Sequence, residues 1–307
     1  MDRYKDHPSF GSDGCLKKPI KRIAAIHDIS CLGRCALTII SPVLSVIGHQ
    51  CVPLPTALLS THTGGFTNMF FSDLTHHMGE IANHWRSIGT DFDAIYSGFL
   101  GSADQIAMLT GFIKDFSKKN DGSPAFIAID PVMGDDGELY STYNSELMMG
   151  MSRLCYGADL ITPNLTEACF LTGEKYPFHT LTEDAGKDLA EKLLKRLSEK
   201  FGCKKTVVSG IICENESGKS VLTAATDEKK AMPYFHSTAL MSRSYPGTGD
   251  LFASVLLGKL LLNEDFESSL DYACDFTAYA IAFSEGYSTP IRDGLVIEPC
   301  LSKLTLM

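Results

Sequence analysis

The sequence has no basic cluster and no long apolar run. Lys and Arg number 27 against 37 Asp and Glu over 307 residues, which gives a net charge of −10 and a pI near 5.4. Because nucleic-acid binding needs a clustered basic footprint, we predict no nucleic-acid partner. The best candidate for a membrane span, residues 251–262, is interrupted by Gly258 and Lys259 and is shorter than the roughly 18 apolar residues required. We therefore also predict no membrane partner.

The chain also lacks a Pro-, Gly- or Ser-rich linker and any internal repeat. We therefore expect a single domain over residues 20–307, preceded by a flexible N-terminal extension, residues 1–19. That extension is polar and has no apolar core typical of a signal peptide. Ten cysteines are spread thinly through apolar surroundings, unlike the dense spacing of a secreted disulfide scaffold. These features predict free thiols and a cytoplasmic location.

Two common nucleotide-binding signatures are missing. No Gly-x-Gly-x-x-Gly follows an early strand, so a dinucleotide-binding fold is disfavoured. Gly218-Lys219-Ser220 resembles the end of a P-loop, but Cys213 stands where the first glycine is required. This stretch is more typical of a hairpin turn.

Short apolar runs, each ending in small or polar residues, recur along the chain. Such runs are typical of buried parallel strands. Between them, residues 180–183 have capping-box spacing and lead into a helical leucine pattern that ends at Gly202. This alternation predicts an α/β fold, with a mostly parallel sheet between helices. The predicted strands are residues 23–26, 94–96, 125–129, 160–161 and 206–208.

Polar residues follow several of these runs directly. They are Asp28, Ser97-Gly98, Asp130, Asn164 and Ser209. Because ligands of such folds bind beyond the carboxyl ends of the strands, we expect these residues to gather at one site.

The strongest local signal is Pro246-Gly-Thr-Gly-Asp250, which immediately precedes an apolar helical segment. Glycines at a helix N-terminus expose backbone N–H groups that bind anions. An aspartate in the first turn can take a proton from an attacking hydroxyl group. From the residues alone, a turn with an aspartate near the helix start is an equally good interpretation.

This loop resembles the Gly-Thr-Gly-Asp signature of the ribokinase superfamily. Five further stretches follow the order found in pyridoxal kinases, and the resemblance extends over about residues 21–300. It implies a three-layer α/β/α ribokinase-like fold and a homodimer. The five stretches are residues 25–34, 60–63, 96–102, 130–135 and 161–167.

The resemblance implies ATP-dependent phosphorylation of the 5′-hydroxymethyl group of a B6 vitamer. Asp250 would be the base, and Gly247, Thr248 and Gly249 would form the anion hole for the γ-phosphoryl group. Phosphoryl transfer depends mainly on positioning and charge neutralisation, which such a loop supplies.

The resemblance also implies ATP and cation sites. Mg²⁺ would lie near Asp130, Asp135 and Glu167, and K⁺ activation is a hypothesis for Thr162, Ser209 and Thr248. Residues 134–139 would form a flexible flap over ATP, and their Asp-Asp-Gly centre is more typical of a mobile loop than of a regular element. The implied ATP contacts are Asp130, Asn164, Glu167, Thr162, Ser209 and Thr248.

On the substrate side, His62 and Thr63 match positions beside the pyridine ring, and Phe99 is expected to stack on it. Taken alone, His62 is more typical of a core histidine whose hydrogen bonds are satisfied. Asp28 departs from the family, which commonly has a serine contacting the ring nitrogen or 3-hydroxyl group. An aspartate there would prefer a protonated ring nitrogen and would disfavour a phenolate.

Two alternatives remain open. One is a hydroxymethylpyrimidine kinase, although many of these enzymes have cysteine at the position of Thr248. The other is a non-catalytic B6-binding protein on the same fold, which the intact set Asp250, Asp130, Asn164 and Glu167 disfavours.

Overall fold

The computed structural model describes residues 20–140, 143–216, 218–230 and 232–305, so the predicted flexible extension, residues 1–19, lies outside the described residues. The strands are β1 (Arg22–Ile26), β2 (Ile29–Leu32), β3 (Gln50–Pro53), β4 (Ala57–Thr61), β5 (Phe71–Asp73), β6 (Ala94–Ser97), β7 (Phe126–Ile129), β8 (Gly134–Asp135), β9 (Glu138–Leu139), β10 (Leu160–Ile161), β11 (Leu181–Thr182), β12 (Lys205–Asn215), β13 (Gly218–Asp227) and β14 (Tyr234–Ala239). The helices are α1 (Leu37–Ile47), α2 (Thr75–Ser87), α3 (Ala103–Phe116), α4 (Ser145–Leu154), α5 (Leu165–Thr172), α6 (Glu183–Phe201), α7 (Thr248–Leu261) and α8 (Phe266–Glu285), followed by short 3₁₀ turns at Ile291–Asp293 and Leu301–Leu304.

The main sheet has the order β14-β13-β12-β10-β7-β6-β1-β3, with β11 beside β12. Its pairs are parallel except β12–β13 and β13–β14, so the mostly parallel sheet is confirmed. Strand β12 continues well beyond the predicted run because it forms a hairpin with β13, in which Asn215 pairs with Gly218. The hairpin interpretation of Gly218 is therefore confirmed.

Helices cover both faces of this sheet. Ile23 and Ala25 of β1 pack into the core shared with α1, α7 and α8, whereas Ala24 and Ile26 pack into the core shared with α2 to α6. This alternation follows from the strand geometry, in which successive side chains point to opposite faces. The predicted α/β/α arrangement is confirmed.

Helix α6 corrects one local prediction. Its N-cap is Thr182, whose hydroxyl group accepts a hydrogen bond from the Ala185 N–H at 3.3 Å. The spacing of residues 180–183 placed the cap two residues too early, because residues 181–182 pair with β12 as strand β11. The predicted end is confirmed, since Gly202 adopts a left-handed conformation after the helix.

The segment 134–139 is a two-stranded hairpin, β8–β9, rather than the irregular loop expected from its composition. The turn residues Asp136 and Gly137 have φ angles of 51° and 82°. Two positive φ angles suit a tight two-residue hairpin turn, and Asp-Gly is a favoured pair for it. The flap therefore has regular structure, and its mobility stays a prediction.

A second small sheet, with the order β2-β4-β5, lies outside the main sheet. Strand β2 leads into the loop 33–36, which reaches the N-terminus of α7. Nine cysteines of the described residues are free thiols, as expected. None of the described helices combines the length and apolar character needed to cross a membrane.

Candidate active site

The residues predicted at the ends of the strands do gather at one edge of the sheet. Asp28 follows β1, Asp130 follows β7, and Asn164 follows β10. Asn164 also forms a bridge with Ser209 of β12, where the Ser209 N–H donates to the Pro163 carbonyl oxygen at 3.1 Å. Parallel strands therefore deliver all four side chains to the same region.

The loop before α7 requires glycine at its first position. Gly247 is the N-cap residue and has a φ angle of 86°. A Cβ atom added there would lie 2.3 Å from the Arg34 carbonyl oxygen, so a side chain does not fit. The first-turn N–H groups of a helix have no intrahelical partner. Together with the Gly247 N–H, those of Thr248 and Gly249 therefore form a candidate anion site.

Asp250 lies in the first turn of α7 and contacts the loop after β2. Its Oδ2 atom accepts a hydrogen bond from the Ala36 N–H at 2.7 Å. Burial raises the pKa of Asp250 to about 7, which the Ala36 N–H opposes and the negative charges of Asp130 and Asp28 reinforce. A carboxyl group with a pKa near neutrality is well matched to general-base catalysis.

The loop 33–36 is held in place from its other side. The Arg34 N–H donates to the Asp293 carbonyl oxygen at 3.0 Å, and Arg34 forms a bridge with Gly294. Ala36 has a φ angle of 47°, which is uncommon for a residue with a side chain. The C-terminal segment thus fixes the amide that contacts Asp250.

Glu167 and Asn164 form a reciprocal capping box at the start of α5. One Glu167 carboxylate oxygen accepts the Asn164 N–H at 2.8 Å, and the other accepts the Met133 N–H at 3.0 Å. The Asn164 amide also donates to the Gly134 carbonyl oxygen at 2.9 Å, at the base of the β8–β9 hairpin. Both side chains therefore tie this hairpin to the sheet edge.

Asp130 is a further buried carboxyl group of this region. It accepts a hydrogen bond from the Thr162 hydroxyl group at 3.0 Å. Burial raises its pKa to about 7. Burial and the Asp130 charge also raise the pKa of Glu167.

The acidic side chains also decide whether the site suits Mg²⁺. Within the described residues, no three His, Cys, Asp or Glu side chains converge as a ready-made metal site. Burial raises the pKa of Asp135 as well. None of the five site carboxyl groups has an ion-pair partner in the described parts of the chain. These five are Asp28, Asp130, Asp135, Glu167 and Asp250. Mg²⁺ is usually held by one or two carboxylates together with phosphates and water. The donor set therefore fits a metal that arrives with a nucleotide.

His62 has both ring nitrogens engaged by the backbone. Its Nδ1 atom accepts the Gly64 N–H at 3.1 Å, which leaves Nε2 as the donor to the Arg292 carbonyl oxygen. The ring also meets Phe66 edge-on at 5.1 Å. His62 can therefore offer a substrate its ring surface but no free nitrogen.

The other residues predicted to bind substrate differ in accessibility. Asp28 is buried and accepts a hydrogen bond from the Ser30 hydroxyl group at 3.0 Å. Phe99 is half-buried and meets Tyr143 edge-on at 6.1 Å. Thr63 is exposed on the loop after β4. Contacts of all three with substrate stay predictions.

Two residues of the site escaped the sequence analysis. Burial raises the pKa of Tyr140, and the charges of Glu167, Asp135, Asp250 and Asp130 add to this effect. Burial, then Asp250 and Asp28, similarly raise the pKa of Cys35. The position of Tyr140 directly after the flap was an available signal, but Cys35 gave none.

The protein has a mostly parallel sheet between two layers of helices, and a glycine-rich helix N-terminus lies beside an aspartate. This fold and this site define a kinase of the ribokinase superfamily. The family model for phosphomethylpyrimidine kinase matches residues 43–294. The chain therefore belongs to the phosphomethylpyrimidine kinase family, and the resemblance to pyridoxal kinases is confirmed by the relatives that follow.

Solved structures and curated proteins agree with this assignment. A provisionally named phosphomethylpyrimidine kinase of Bacteroides thetaiotaomicron is 35% identical, with a TM-score of 0.85, and the match covers 96% of this chain and 97% of that one. Lactobacillus plantarum pyridoxal kinase is 26% identical, with a TM-score of 0.81, over 93% and 97% of the two chains. Pasteurella multocida pyridoxal kinase is 29% identical over 71% of this chain and 73% of its own length. For relatives from two yeasts and a nematode, the aligned part covers 48–62% of their own length.

Proposed function

We propose that this kinase transfers the γ-phosphoryl group of ATP to the 5′-hydroxymethyl group of a B6 vitamer. The observation that carries the proposal is Asp250, a carboxyl group with a pKa near 7 placed beside the open amides of the α7 N-terminus. The Bacteroides thetaiotaomicron relative, 36% identical in its second crystal form, was crystallised with pyridoxal. Relatives named pyridoxal kinase support the same substrate class.

Asp250 acts as the base. Its ionised carboxylate takes the proton of the substrate hydroxyl group while that oxygen attacks the γ-phosphorus atom. The bond from the γ-phosphorus to the bridging oxygen breaks, and ADP leaves with the bonding electrons. The Ala36 N–H fixes Oδ2 at 2.7 Å, which keeps the carboxylate oriented between proton transfers.

The N–H groups of Gly247, Thr248 and Gly249 stabilise the transferring phosphoryl group. They lie at the positive end of the α7 dipole, so they favour the charge that accumulates on the equatorial oxygens. Tyr140, which directly follows the flap, is proposed as a further hydrogen-bond donor. Backbone amides thus replace the basic cluster that the sequence lacks.

The carboxyl-lined side of the cleft holds ATP together with Mg²⁺. Asp130 and Asp135 are the carboxylates that would hold the metal ion, directly or through water, and the bound ion would neutralise phosphate charge. Glu167 and Asn164 position the flap, since their side chains bond its base and the Met133 N–H. Thr162, Ser209 and Thr248 are proposed to contact the nucleotide.

The vitamer ring is proposed to lie between the loops that carry Asp28, His62 and Phe99. Phe99 offers a ring face, and His62 packs edge-on because its nitrogens are engaged. Thr63 is exposed beside it and can contact a ring substituent.

Three further predictions belong to this proposal. Apolar side chains on the small sheet and the adjoining loops, Leu32 at 58% and Phe70 at 60% exposure, support a homodimer, which light scattering would measure. Potassium activation predicts a faster rate in K⁺ than in Na⁺, and equal rates would remove it. The free thiols support the cytoplasmic location.

A second candidate is a hydroxymethylpyrimidine kinase, because the matching family model carries the phosphomethylpyrimidine kinase name. ATP consumption with pyridoxal, pyridoxine, pyridoxamine and hydroxymethylpyrimidine separates the two. Our proposal requires a higher kcat/KM for at least one vitamer than for the pyrimidine. Tight vitamer binding without any turnover would instead identify a non-catalytic B6-binding protein.

A further inference from the structure

The tip of the β8–β9 flap rests on two aromatic side chains that have no role in the mechanism above. A Cβ atom added to Gly137 would lie 2.7 Å from Tyr176 Cδ1 and 2.8 Å from Phe178 Cε1. Both distances are too short for a real Cβ contact, so the two rings fill the space that a side chain at the tip would need. The rings meet each other edge-on, with their centres 5.1 Å apart. We call this pair the aromatic shelf.

Phe178 is the most exposed large apolar residue in the part of the chain that the structure describes, at 79%. Single exposed apolar side chains are common on protein surfaces and need no explanation by themselves. The ring of Phe178 differs because it lies against the backbone of a segment that is predicted to move over ATP. An apolar ring at this place can therefore serve as a contact for the flap.

The segment that carries the shelf is anchored to α6 and to the main sheet. Glu174, two residues before Tyr176, forms ion pairs with Lys192 at 2.8 Å and with Arg196 at 2.9 Å, both on α6. Soon after Phe178 the chain forms β11, which pairs with β12. The shelf is therefore a fixed surface against which the flap can be placed.

Hydrogen bonds to the start of α5 define the position in which the flap meets the shelf. The Gly137 N–H donates to the Thr166 hydroxyl group at 2.9 Å. The Asn164 amide donates to the Gly134 carbonyl oxygen, also at 2.9 Å. Asn164 and Thr166 begin the helix at the edge of the proposed nucleotide site. The rings of the shelf thus supply the apolar part of a contact whose polar part is the Thr166 bond.

The contact between tip and shelf is shallow. A cavity of about 270 Å³ lies beside it, and its lining includes Asp136 of the flap together with Phe178 and Ile212. Apolar stabilisation is roughly proportional to the area removed from water, and the exposed ring of Phe178 buries little. The shelf therefore favours one position of the flap without locking it there.

We propose that Tyr176 and Phe178 are positioning residues that hold the flap tip in the position from which it covers ATP. This inference rests on the proposed function, because it assumes that ATP binds beneath the flap. Both rings act through the backbone of the flap and not by contact with a substrate. The proposal extends the nucleotide site to a segment that lies outside it.

Phe178→Ala is the cleanest test, because an exposed ring can be removed without opening a cavity in the core. The KM for ATP should rise by roughly 3- to 10-fold, the size expected for loss of one aromatic contact, and the KM for pyridoxal should change less than about twofold. Phe178→Tyr keeps the ring and should restore the wild-type KM for ATP. Tyr156→Ala is the matched control, because Tyr156 is 56% exposed and meets Phe201 edge-on at 5.0 Å. Tyr156 precedes β10 and so lies at the opposite edge of the sheet.

Hydrogen exchange of the flap gives a readout that does not need turnover. Mass spectrometry of a peptide covering residues 134–140 should show faster exchange in Phe178→Ala, since loss of the shelf loosens the Gly137 amide from the Thr166 hydroxyl group. Phe178→Tyr and Tyr156→Ala should exchange at the wild-type rate. Unchanged exchange in Phe178→Ala would overturn the inference. Faster exchange with an unchanged KM for ATP, or an equal rise of both KM values, would overturn it as well.

These results separate the two proposals. Absence of turnover with every vitamer contradicts the proposed function. In that case the exchange of the flap and the calorimetric affinity for a non-hydrolysable ATP analogue still report on the shelf. Turnover of vitamers by a Phe178→Ala variant that matches the wild type in both KM values contradicts only the role of the shelf.

Discussion

Replacement of the proposed base, Asp250→Asn, should separate catalysis from stability. Asparagine keeps an oxygen that can accept the Ala36 N–H, which Asp250 binds at 2.7 Å, so the loop geometry is retained. The amide cannot take a proton from the substrate. We therefore expect kcat to fall by roughly 10²- to 10⁴-fold with little change in substrate binding.

The same change should stabilise the ligand-free protein. Burial raises the pKa of Asp250 from 3.8 to about 7, which corresponds to about 4 kcal/mol of lost stability for the ionised group. This is an upper limit, because the carboxyl group remains partly exposed. The cost is absent below pH about 4, grows as the pH rises through 7 and is then constant. The Asp250→Asn variant avoids this cost because its amide does not ionise.

Two measurements on one pair of proteins test this reasoning. Steady-state phosphorylation of pyridoxal gives kcat and KM, and thermal unfolding from pH 5 to pH 8.5 gives the difference in Tm. The Tm advantage of Asp250→Asn should increase up to about pH 7 and then level off. Asp104→Asn, an exposed substitution, is the matched control. A retained kcat would refute the base assignment, and an advantage independent of pH would refute the electrostatic argument.

Three further predictions concern other parts of the structure. Gly247→Ala forces a Cβ atom to within 2.3 Å of the Arg34 carbonyl oxygen at a φ angle of 86°; it should abolish turnover and lower the free energy of unfolding by about 1–3 kcal/mol, as measured by activity and urea denaturation. Glu167→Ala removes the acceptor of the Met133 and Asn164 N–H groups, so KM for ATP should rise more than KM for pyridoxal in initial-rate assays. Asp93 accepts a hydrogen bond from the Arg22 N–H and contacts two lysines. Burial raises the pKa of Asp93, but the combined effect of these partners is larger, so its pKa is lowered overall. Asp93→Asn should therefore destabilise at pH 7, and chemical denaturation should show the difference shrinking below pH about 4.

Each of these predictions has a contradicting result. Full activity of Gly247→Ala would mean that this loop does not need its left-handed turn. Equal effects of Glu167→Ala on both KM values would argue against a role confined to the flap. A constant difference for Asp93→Asn from pH 3 to pH 8 would show that its carboxylate charge is not responsible.

The parts of the fold that are local in sequence could be predicted. Buried parallel strands appear as short apolar runs, and helix α7 follows its glycine loop as expected. The β8–β9 hairpin was missed because acidic and glycine residues were taken as a loop, although Asp136-Gly137 is also a hairpin signal. The cap of α6 was misplaced because strand pairing with β12 claimed residues 181–182. Where local signals were ambiguous, pairing with a strand elsewhere in the chain thus determined the secondary structure.

The candidate site could be predicted only in its residues, because its contacts join distant segments. Asp250 accepts an amide 214 positions away, at Ala36. The ring nitrogens of His62 are engaged partly by Arg292, 230 positions away. No local pattern encodes these distances, so neither the orientation of the base nor the closed hydrogen bonding of His62 was visible in the sequence.

The two aspartates with pKa values of about 7, Asp130 and Asp250, also make ligand binding a proton-linked event. At neutral pH each is about half protonated when the cleft is free of ligands. A cation that enters the cleft favours the ionised form of both carboxyl groups, so the protons they carry are released to the solvent. The measured heat of binding should then vary with the ionisation enthalpy of the buffer, and affinity should increase with pH between 6 and 8. The enzyme would thus respond to acidification of its surroundings through affinity as well as through rate.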